Sequence, residues 1–337
     1  MPLRGALSVM SVPYRWGVHL RNRRFDKTGT GLRVSVPVIS VGNLTVGGTG
    51  KTPMVIDLAS RLVARGFSPA VVARGYAAEE GQPNDEELLI RRHAPAVAYV
   101  ADPDRVAAAR EAIDRCHADV IILDDGFQHR RLARDLDMVL IDATCPWGFG
   151  HLLPRGLLRE PPSALRRAHA IVVTRSDQVS AAQLTRLLDQ LHHLAPDAAP
   201  LTSHHRVLDI HALDGSAAAI ALAQRRIVAF AAIGNPSAFR ATLQRMGANI
   251  VREKWFRDHH RYTEYDVSWL STLMRRADAE LLVTTEKDAV KLERLAGDTA
   301  PRIAVVTIAI DFPAAHGTIL DSLLMQYAPT KPRGDNP

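Results

Sequence analysis

The chain has 337 residues, of which 47% are hydrophobic, and it carries 42 lysines and arginines against 36 acidic residues. This composition excludes an intrinsically disordered chain, and the length indicates two domains rather than one. The two cysteines, Cys116 and Cys145, exclude a disulfide framework and have no metal-ligand spacing, so we expect a reducing compartment, the cytosol.

Residues 1–24 form a basic amphipathic segment without an acidic residue. Arginines are interleaved with apolar side chains in the set Leu3, Arg4, Leu7, Met10, Tyr14, Arg15, Trp16, Val18, Leu20, Arg21, Arg23 and Arg24. The longest apolar run is far below the roughly 20 residues needed to span a bilayer, and no small-residue cleavage site follows it. These residues alone leave two interpretations open: a helix on an anionic membrane surface, or a helix packed on the protein with a solvated basic face.

The next part of the chain, residues 25–205, alternates between the patterns of buried strands and of helices. Strands are predicted at 36–41, 69–73, 97–100, 120–123, 138–141 and 170–174, with helices that include 52–64 and 105–117. Strands that alternate with helices are typical of a mainly parallel sheet covered by helices. We therefore predict an α/β domain over this range.

A second alternating set follows over residues 206–328, after the pattern weakens at 191–205. Strands are predicted at 227–233, 280–284 and 303–309, and helices at 236–246 and 267–277. Because this set is shorter, we expect a second, smaller α/β domain. The tail at 329–337 has the composition of a disordered terminus.

A glycine-rich segment, residues 42–52, lies between a predicted strand and a predicted helix and ends in Gly-Lys-Thr. This is the context of a P-loop, whose backbone N–H groups bind phosphate at a helix N-terminus. Lys51 would reach the terminal phosphates of a nucleotide, and Thr52 would offer its hydroxyl to Mg²⁺. A glycine-rich turn that binds nothing is the alternative, since Thr45 stands where the strict motif has glycine. The predicted nucleotide-binding residues are Thr45, Gly47, Gly48, Thr49, Gly50, Lys51 and Thr52.

Two carboxylates follow the predicted strand at 120–123, in the sequence Asp124-Asp125-Gly126. Open α/β sheets bind ligands at the carboxyl ends of their strands, and P-loop enzymes place a metal-binding carboxylate there. We therefore predict that Asp124 and Asp125 join Thr52 at a Mg²⁺ site. An ordinary Asp-Asp-Gly turn is the alternative.

Several further segments carry a family resemblance in their order and spacing. The longer ones are Val41-Gly42-Asn43-Leu44-Thr45 before Gly50-Lys51-Thr52-Pro53, Asp124-Asp125-Gly126-Phe127-Gln128-His129, and Leu153-Pro154-Arg155-Gly156 with Leu158-Arg159-Glu160. The others are Arg74-Gly75-Tyr76, Gly234-Asn235-Pro236, Asp258-His259 and Thr285-Glu286-Lys287-Asp288-Ala289-Val290-Lys291. Together they resemble the tetraacyldisaccharide 4'-kinase family of lipid A biosynthesis, which also has threonine at the position of Thr45.

The resemblance implies a two-domain α/β kinase of the P-loop NTPase type with its active site in a cleft. ATP and Mg²⁺ are the implied cofactors, and the implied acceptor is the 4'-hydroxyl of a tetraacylated glucosamine disaccharide 1-phosphate. Peripheral attachment to the cytoplasmic face of the bacterial inner membrane is also implied, which favours the membrane interpretation of residues 1–24. The net charge of +6 then suits the glycolipid phosphate and the anionic membrane surface.

The family uses an aspartate and a histidine as a cooperating pair that accepts a proton from the acceptor hydroxyl. The matching residues here are Asp85 and His259, one on each side of the predicted domain boundary. From the residues alone, Asp85 belongs to a solvated acidic run and His259 to a surface His-His pair. The resemblance therefore carries both assignments.

Four more residues receive roles from the resemblance. Glu160 is expected near the metal, with a helix-capping salt bridge as the alternative. Gln128 and His129 are expected to position phosphates or the acceptor. Lys287 is expected either to bind the nucleotide or to form an interdomain ion pair, and the sequence leaves that choice open.

Two other functions compete with this interpretation. Another P-loop small-molecule kinase or synthetase would keep Lys51, Thr52 and Asp125 without needing a basic amphipathic N-terminus. A non-enzymatic nucleotide switch or a nucleic-acid binder is suggested by the positive charge alone. Aromatic residues make up only 5% of the chain and no nucleic-acid-binding motif is recognised, so we expect no nucleic-acid partner.

Overall fold

The computed structural model describes residues 2–29, 31–75, 83–215, 220–293, 295 and 302–328. The chain divides into two compact units. Unit 1 comprises Met1–Tyr76, Ile90–His204 and Asp311–Pro337, and unit 2 comprises Ala77–Leu89 and His205–Ile310. The chain therefore passes from one unit to the other four times, after residues 76, 89, 204 and 310.

Strands and helices alternate along both units. The strands are β1 (Val38–Asn43), β2 (Pro69–Ala73), β3 (Ala98–Ala101), β4 (Val120–Asp124), β5 (Leu136–Asp142), β6 (Ala170–Thr174), β7 (Ala199–Thr202), β8 (His204–Ala212), β9 (Arg226–Ala231), β10 (Asn249–Trp255), β11 (Leu281–Thr285) and β12 (Ile303–Asp311). The helices are α1 (Pro2–Thr28), α2 (Lys51–Ala64), α3 (Asp85–His93), α4 (Arg105–Cys116), α5 (Ala181–Leu194), α6 (Pro236–Arg245), α7 (Glu264–Arg276), α8 (Glu286–Leu292) and α9 (Ala314–Tyr327).

Unit 1 is built on a seven-stranded parallel sheet in the order β3-β2-β4-β1-β5-β6-β7. Every residue of β1, β2, β4, β5 and β6 is buried, which explains why their sequences are largely continuous apolar runs. Val106 and Ala109 of α4 pack in one core cluster, and Leu187 and Leu191 of α5 pack in another. The predicted parallel, helix-covered α/β sheet is confirmed.

Unit 2 contains a five-stranded sheet in the order β10-β9-β11-β12-β8. The pairs β10–β9, β9–β11 and β11–β12 are parallel. Phe239 and Leu243 of α6 pack in one core cluster, and Leu270 of α7 and Leu292 of α8 pack in another. Unit 2 therefore has its own core, as expected for a second, smaller α/β domain.

The end of the chain differs from the predicted domain at 206–328, because α9 belongs to unit 1. Asp321 of α9 pairs with Arg61 and Arg65 of α2 at 2.9 and 2.8 Å. These ion pairs, with the buried side chains of α9, attach the helix to the first sheet. The predicted tail at 329–337 lies outside the described residues.

A second difference concerns Ala77–Leu89, which the sequence placed in the domain at 25–205 and which belongs to unit 2. The division between the units falls inside α3, after Leu89. The region at 191–205, where the sequence pattern weakens, contains the end of α5, all of β7 and the first residues of β8.

One face of α1 packs on the rest of unit 1. Ser11 Oγ donates to the Leu152 carbonyl at 3.2 Å, and Tyr14 Oη donates to the Arg159 carbonyl at 3.0 Å. Val18, which follows at helical spacing, is buried. Residues 1–24, expected as a basic amphipathic segment before the domain at 25–205, are thus part of a longer helix: α1 continues to Thr28 and is packed within unit 1.

The opposite face of α1 is apolar and exposed. Val9, Val12, Trp16 and Leu20 are spaced by three and four residues, and Val9 and Trp16 are 72% and 63% exposed. At 100° per residue this apolar stripe, as we call these four residues, lies across the helix from Val18. In the part of the chain that the structure describes, no helix has both the length and the hydropathy required to cross a bilayer.

Candidate active site

The loop between β1 and α2 is anchored by the residues at the end of β6. Thr174 Oγ1 donates to the Thr49 carbonyl at 2.9 Å, and Arg175 Nη2 donates to the Gly48 carbonyl at 2.8 Å. Arg175 is itself held by a buried ion pair with the last residue of β5. Because a trans peptide directs its N–H opposite to its C=O, the Gly50 N–H points away from these anchors. The Thr49–Gly50 peptide is thus fixed with its N–H directed away from the end of β6.

The N-terminus of α2 is open. Gly47 and Gly50 have φ values of 115° and 97°, which side-chain-bearing residues rarely adopt. No side chain of the described residues caps α2, whereas Asp104 caps α4 and Ser180 caps α5. The first N–H groups of α2 are therefore suited to bind an anion, with the helix dipole in support.

Asp125 lies at the centre of a charged cluster beside the start of α2. Its Oδ1 atom is 3.3 Å from Lys51 Nζ, and Arg159 Nη1 donates to its two oxygens at 2.9 and 2.7 Å. Burial by itself raises the pKa of Asp125, but Lys51 and Arg159 outweigh burial and lower the pKa to about 2. The carboxylate is therefore ionised at neutral pH.

The register of β1 and β4 brings this cluster together. Val41 pairs with Asp124, so the phosphate loop and the two aspartates lie at the same edge of the sheet. The approach is close, because a Cβ atom on Gly42 would lie 2.5 Å from Phe127 Cβ. Gln128 Nε2 donates to the carbonyl of the last residue of β1 at 2.9 Å. The predicted residue Gln128 thus fixes the turn against the phosphate loop.

Asp124 and His129 have environments different from that of Asp125. Asp124 is buried and accepts the Asp125 N–H at 2.8 Å, so its carboxylate shapes the turn in which Asp125 has a φ of 51°. Burial and the charges of Arg105 and Arg131 lower the pKa of His129 to about 4. His129 is therefore neutral at physiological pH.

Glu160 is fully buried between α1 and the body of unit 1. Its oxygens accept from Arg21 at 3.2 Å, from Asn22 at 2.8 Å and from Arg167 at 3.0 Å. A buried carboxylate needs such donors, and here two of the three come from α1. The contacts are those of an ion-paired carboxylate, and the metal role of Glu160 stays a prediction.

Thr52 and Asp125 are suited to a Mg²⁺ ion. Thr52 follows Lys51 in the first turn of α2, and Lys51 contacts Asp125 directly. Within the described ranges, no group of three or more His, Cys, Asp or Glu side chains is arranged to hold a metal ion. Mg²⁺ commonly takes one or two protein carboxylates and completes its shell with water and phosphate oxygens, so the hydroxyl and the carboxylate fit that need.

Asp85 and His259 form a contact within unit 2. Asp85 Oδ2 is 3.2 Å from His259 Nδ1. Asn84 fixes the start of α3, because its Oδ1 atom accepts the Glu87 N–H at 2.7 Å. His259 has a φ of 60°, which is rare for a residue with a side chain and is typical of functional positions.

Both members of this pair belong to one compact unit, so the expectation of one residue in each domain is corrected. The reason is that Ala77–Leu89 leaves the first part of the chain and joins unit 2. The Asp85 side chain is only 7% exposed, so it is not part of a solvated acidic run. The His259 side chain is 24% exposed, so His259 is not simply one member of a surface His-His pair.

Two lysines of α8 face the same carboxylate. Lys287 Nζ and Lys291 Nζ each lie 3.8 Å from Asp85 Oδ2. Burial by itself raises the pKa of Asp85, but the hydrogen bond from His259 and the two lysine charges lower it to about 2. Since an ionised carboxylate only accepts hydrogen bonds, His259 must donate to it through Nδ1.

Four residues that contact the loop, Asp125 or Asp85 in the structure received no role from the sequence. Arg159 lies beside the predicted Glu160 in a quoted motif. Thr174 and Arg175 end a predicted strand at the ligand-binding edge of the sheet, which is a usable signal. Lys291 lies four residues after Lys287, so both project from one face of α8.

Comparisons with known proteins identify a single family. A family model described as "LpxK: Tetraacyldisaccharide-1-P 4'-kinase" matches residues 3–325. A tetraacyldisaccharide 4'-kinase of Syntrophus aciditrophicus is 43% identical over 312 residues, covering 85% of this chain and 83% of the relative. One of Geobacter metallireducens is 41% identical over 330 residues, covering 90% of this chain and 92% of the relative.

The fold comparison agrees. A crystal structure of LpxK from Aquifex aeolicus in complex with ATP has a TM-score of 0.71 and 27% sequence identity, and the match covers 97% of this chain and all of that one. The predicted family, fold class and enzyme class are thereby confirmed. The chain belongs to the tetraacyldisaccharide-1-P 4'-kinase family, whose members are kinases of lipid A biosynthesis.

Proposed function

We propose that this chain transfers the γ-phosphate of ATP to the 4'-hydroxyl of a tetraacylated glucosamine disaccharide 1-phosphate. The observation that carries this proposal is the open N-terminus of α2 with the Lys51–Asp125 contact beside it. The names of the relatives support the acceptor, and the ATP complex of the Aquifex aeolicus protein supports the donor.

The loop between β1 and α2 binds phosphate together with the first turn of α2. The backbone N–H groups after Gly47 bind phosphate oxygens, and the ammonium of Lys51 supports the group being transferred. Thr174 and Arg175 contribute indirectly, because they hold the loop carbonyls and so keep the N–H groups oriented. Phosphoryl transfer depends mainly on such preorganised charge and position.

Thr52 and Asp125 are the residues that would hold Mg²⁺. When bound, the ion neutralises charge on the phosphate oxygens. Arg159 keeps Asp125 ionised and oriented, because it donates to both carboxylate oxygens.

The Asp85–His259 pair accepts the proton of the 4'-hydroxyl. As the sugar oxygen forms its bond to the γ-phosphorus, the bond from that phosphorus to the bridging oxygen breaks and ADP leaves. The hydroxyl proton moves to the pair, where Asp85 stabilises the charged imidazole. Gln128 fixes its turn against the end of β1, and His129 beside it stays neutral, so neither takes this proton.

The apolar stripe of α1 binds the membrane surface from which the acylated acceptor is taken. Exposed arginines on α1, Arg15, Arg23 and Arg24, attract an anionic leaflet at about 1 kcal/mol each. We place the protein at the cytoplasmic face of the bacterial inner membrane as a peripheral protein, because an apolar and basic helix face suits an interfacial position.

Incubation of the purified chain with labelled ATP, Mg²⁺ and the disaccharide 1-phosphate in detergent tests the proposed reaction. We expect a doubly phosphorylated lipid whose new phosphate is at the 4' position. The same incubation without the acceptor serves as the control for ATP hydrolysis. Label released only as inorganic phosphate would contradict the proposal.

A triple substitution of the apolar stripe, Val9→Glu with Trp16→Glu and Leu20→Glu, tests the membrane surface. Binding to phosphatidylglycerol vesicles is expected to weaken roughly a hundredfold or more, since three buried apolar side chains at about 1 kcal/mol or more each contribute about 3 kcal/mol together. Sedimentation with vesicles measures the bound fraction. Deleting α1 is a poorer test, because Glu160 would lose two of its donors.

The matched control for this variant is Ile319→Glu with Met325→Glu, since both side chains are exposed apolar residues of α9 at 42%. This variant should sediment with vesicles like the unmodified chain. Equal binding by the α1 variant and the α9 variant would place the membrane contact elsewhere.

A further inference from the structure

Lys287 contacts the ring nitrogen of His259 that Asp85 does not. Its Nζ atom lies 3.4 Å from His259 Nε2 and 3.4 Å from Asp258 Oδ1, in addition to the 3.8 Å distance to Asp85 Oδ2. The imidazole is therefore contacted at both nitrogens. The Asp85 carboxylate lies at Nδ1 and the Lys287 ammonium at Nε2, and Asp258 Oδ1 lies 3.9 Å from Nε2, beyond hydrogen-bond distance.

The chemistry of these partners selects one tautomer of the ring. The Asp85 carboxylate only accepts hydrogen bonds, and a lysine ammonium only donates them. Hence the proton of neutral His259 lies on Nδ1, and the lone pair lies on Nε2 facing Lys287. This is the form that can accept a proton at Nε2. A distance of 3.4 Å is long for a hydrogen bond, so a hydroxyl group can replace the ammonium there.

The charges around this contact keep Lys287 protonated. Burial by itself lowers the pKa of Lys287, but the carboxylates of Asp85 and Asp258 outweigh it and raise the pKa. The other charged groups facing the cluster are Glu86 and the pair of Lys291 with the buried Asp288, at 3.0 Å. Among the described residues, the charged groups in contact with His259 include Asp85, Asp258 and Lys287.

The choice of lysine is unusual in this chain. Of 42 basic residues only six are lysines, namely Lys27, Lys51, Lys254, Lys287, Lys291 and Lys331. Both cations that face Asp85 nevertheless belong to this minority. An ammonium is a compact point charge with rotatable donors, whereas a guanidinium is a larger planar group. The compact ammonium of a lysine therefore fits beside the imidazole nitrogen better than a guanidinium would.

We infer that Lys287 is a positioning residue of the phosphoryl transfer, which holds His259 in the Nδ1-protonated tautomer and sets the pH range in which the pair accepts a proton. The inference rests on the proposed function of the Asp85–His259 pair. It gives Lys287 a role other than the two that the sequence left open, and the partners named here belong to unit 2 and surround this pair.

Lys287→Met and Lys287→Arg, with Lys254→Met as the matched control in the same unit, test the inference in the full chain. The missing cation no longer opposes proton uptake by the pair, so the acidic limb of the kcat-versus-pH profile should move upward in Lys287→Met. Lys287→Arg should restore the position of that limb while kcat stays several-fold low. Lys254→Met should match the unmodified profile.

A second readout needs no turnover. Long-range ¹H–¹⁵N spectra of the imidazole should show the Nδ1-protonated tautomer in the unmodified chain and a different mixture of ring forms at the same pH in Lys287→Met. An unmoved limb together with an unchanged His259 spectrum would overturn the inference. Full activity of Asp85→Asn and His259→Ala would instead overturn the proposed proton-accepting pair, and the spectra would still report separately on Lys287. Melting temperatures identify any variant that has failed to fold.

Discussion

Lys51→Ala is expected to lower kcat by about 10²- to 10³-fold, the usual loss when one preorganised charge is removed from a transition-state site. In the proposed function Lys51 supports the transferring phosphate, and it lies 3.3 Å from Asp125. Arg159 still holds Asp125 in this variant, so the local structure should persist. Steady-state assays with ATP and the disaccharide 1-phosphate give kcat and KM separately.

Arg115→Ala is the control for charge removal, because this arginine is exposed on α4 and pairs only at the surface with Glu111. Its kcat should match that of the unmodified chain. If Lys51→Ala folded normally and turned over at nearly the unmodified rate, the assignment of the phosphate loop would be wrong.

Asp85→Ala and His259→Ala are each expected to lower kcat by about 10²- to 10⁴-fold, the range for loss of general-base catalysis. Because their side chains are 3.2 Å apart, we expect them to act together in accepting the proton. The kcat of the double variant should then be scarcely lower than that of the worse single variant. The KM for ATP should change little, since neither residue belongs to the phosphate loop. A double-mutant cycle on kcat measures the coupling.

Two additional variants are controls for this test. Asp85→Asn preserves the shape of the side chain between Lys287 and Lys291 while it removes the charge, so a loss of kcat there is not a packing effect. His193→Ala removes an exposed histidine of α5 and should leave kcat unchanged. Fully multiplicative losses in the cycle would exclude a cooperating pair.

The buried sheets were predictable from the sequence because their strands are continuous apolar runs. Every predicted strand appears within two residues of its expected bounds. β7, β8 and β10 were not predicted, since each is an edge strand with partly exposed residues. In β10 a register irregularity between Ile250 and Arg252 also breaks the alternation that identifies a half-buried strand.

The cluster around Asp125 and the Asp85–His259 pair differ in how far the sequence could predict them. Lys51 and Asp125 follow from local motifs whose strands happen to be neighbours, so the sequence brings them together correctly. Asp85 and His259 are separated by 174 positions along the chain and share no local pattern. Only the family resemblance could pair them, and no sequence signal showed that both belong to one unit.

The four passages of the chain between the units limit how this protein can be divided. A recombinant fragment of residues 205–310 would contain His259 and Lys287 but would lack Asp85, which faces both. A fragment ending at residue 204 would carry Asp85 without its partners and would lose α9, whose Asp321 pairs with Arg61 and Arg65 of α2. Each unit is therefore encoded by more than one stretch of the gene. Moving a single stretch into another gene would transfer an incomplete unit.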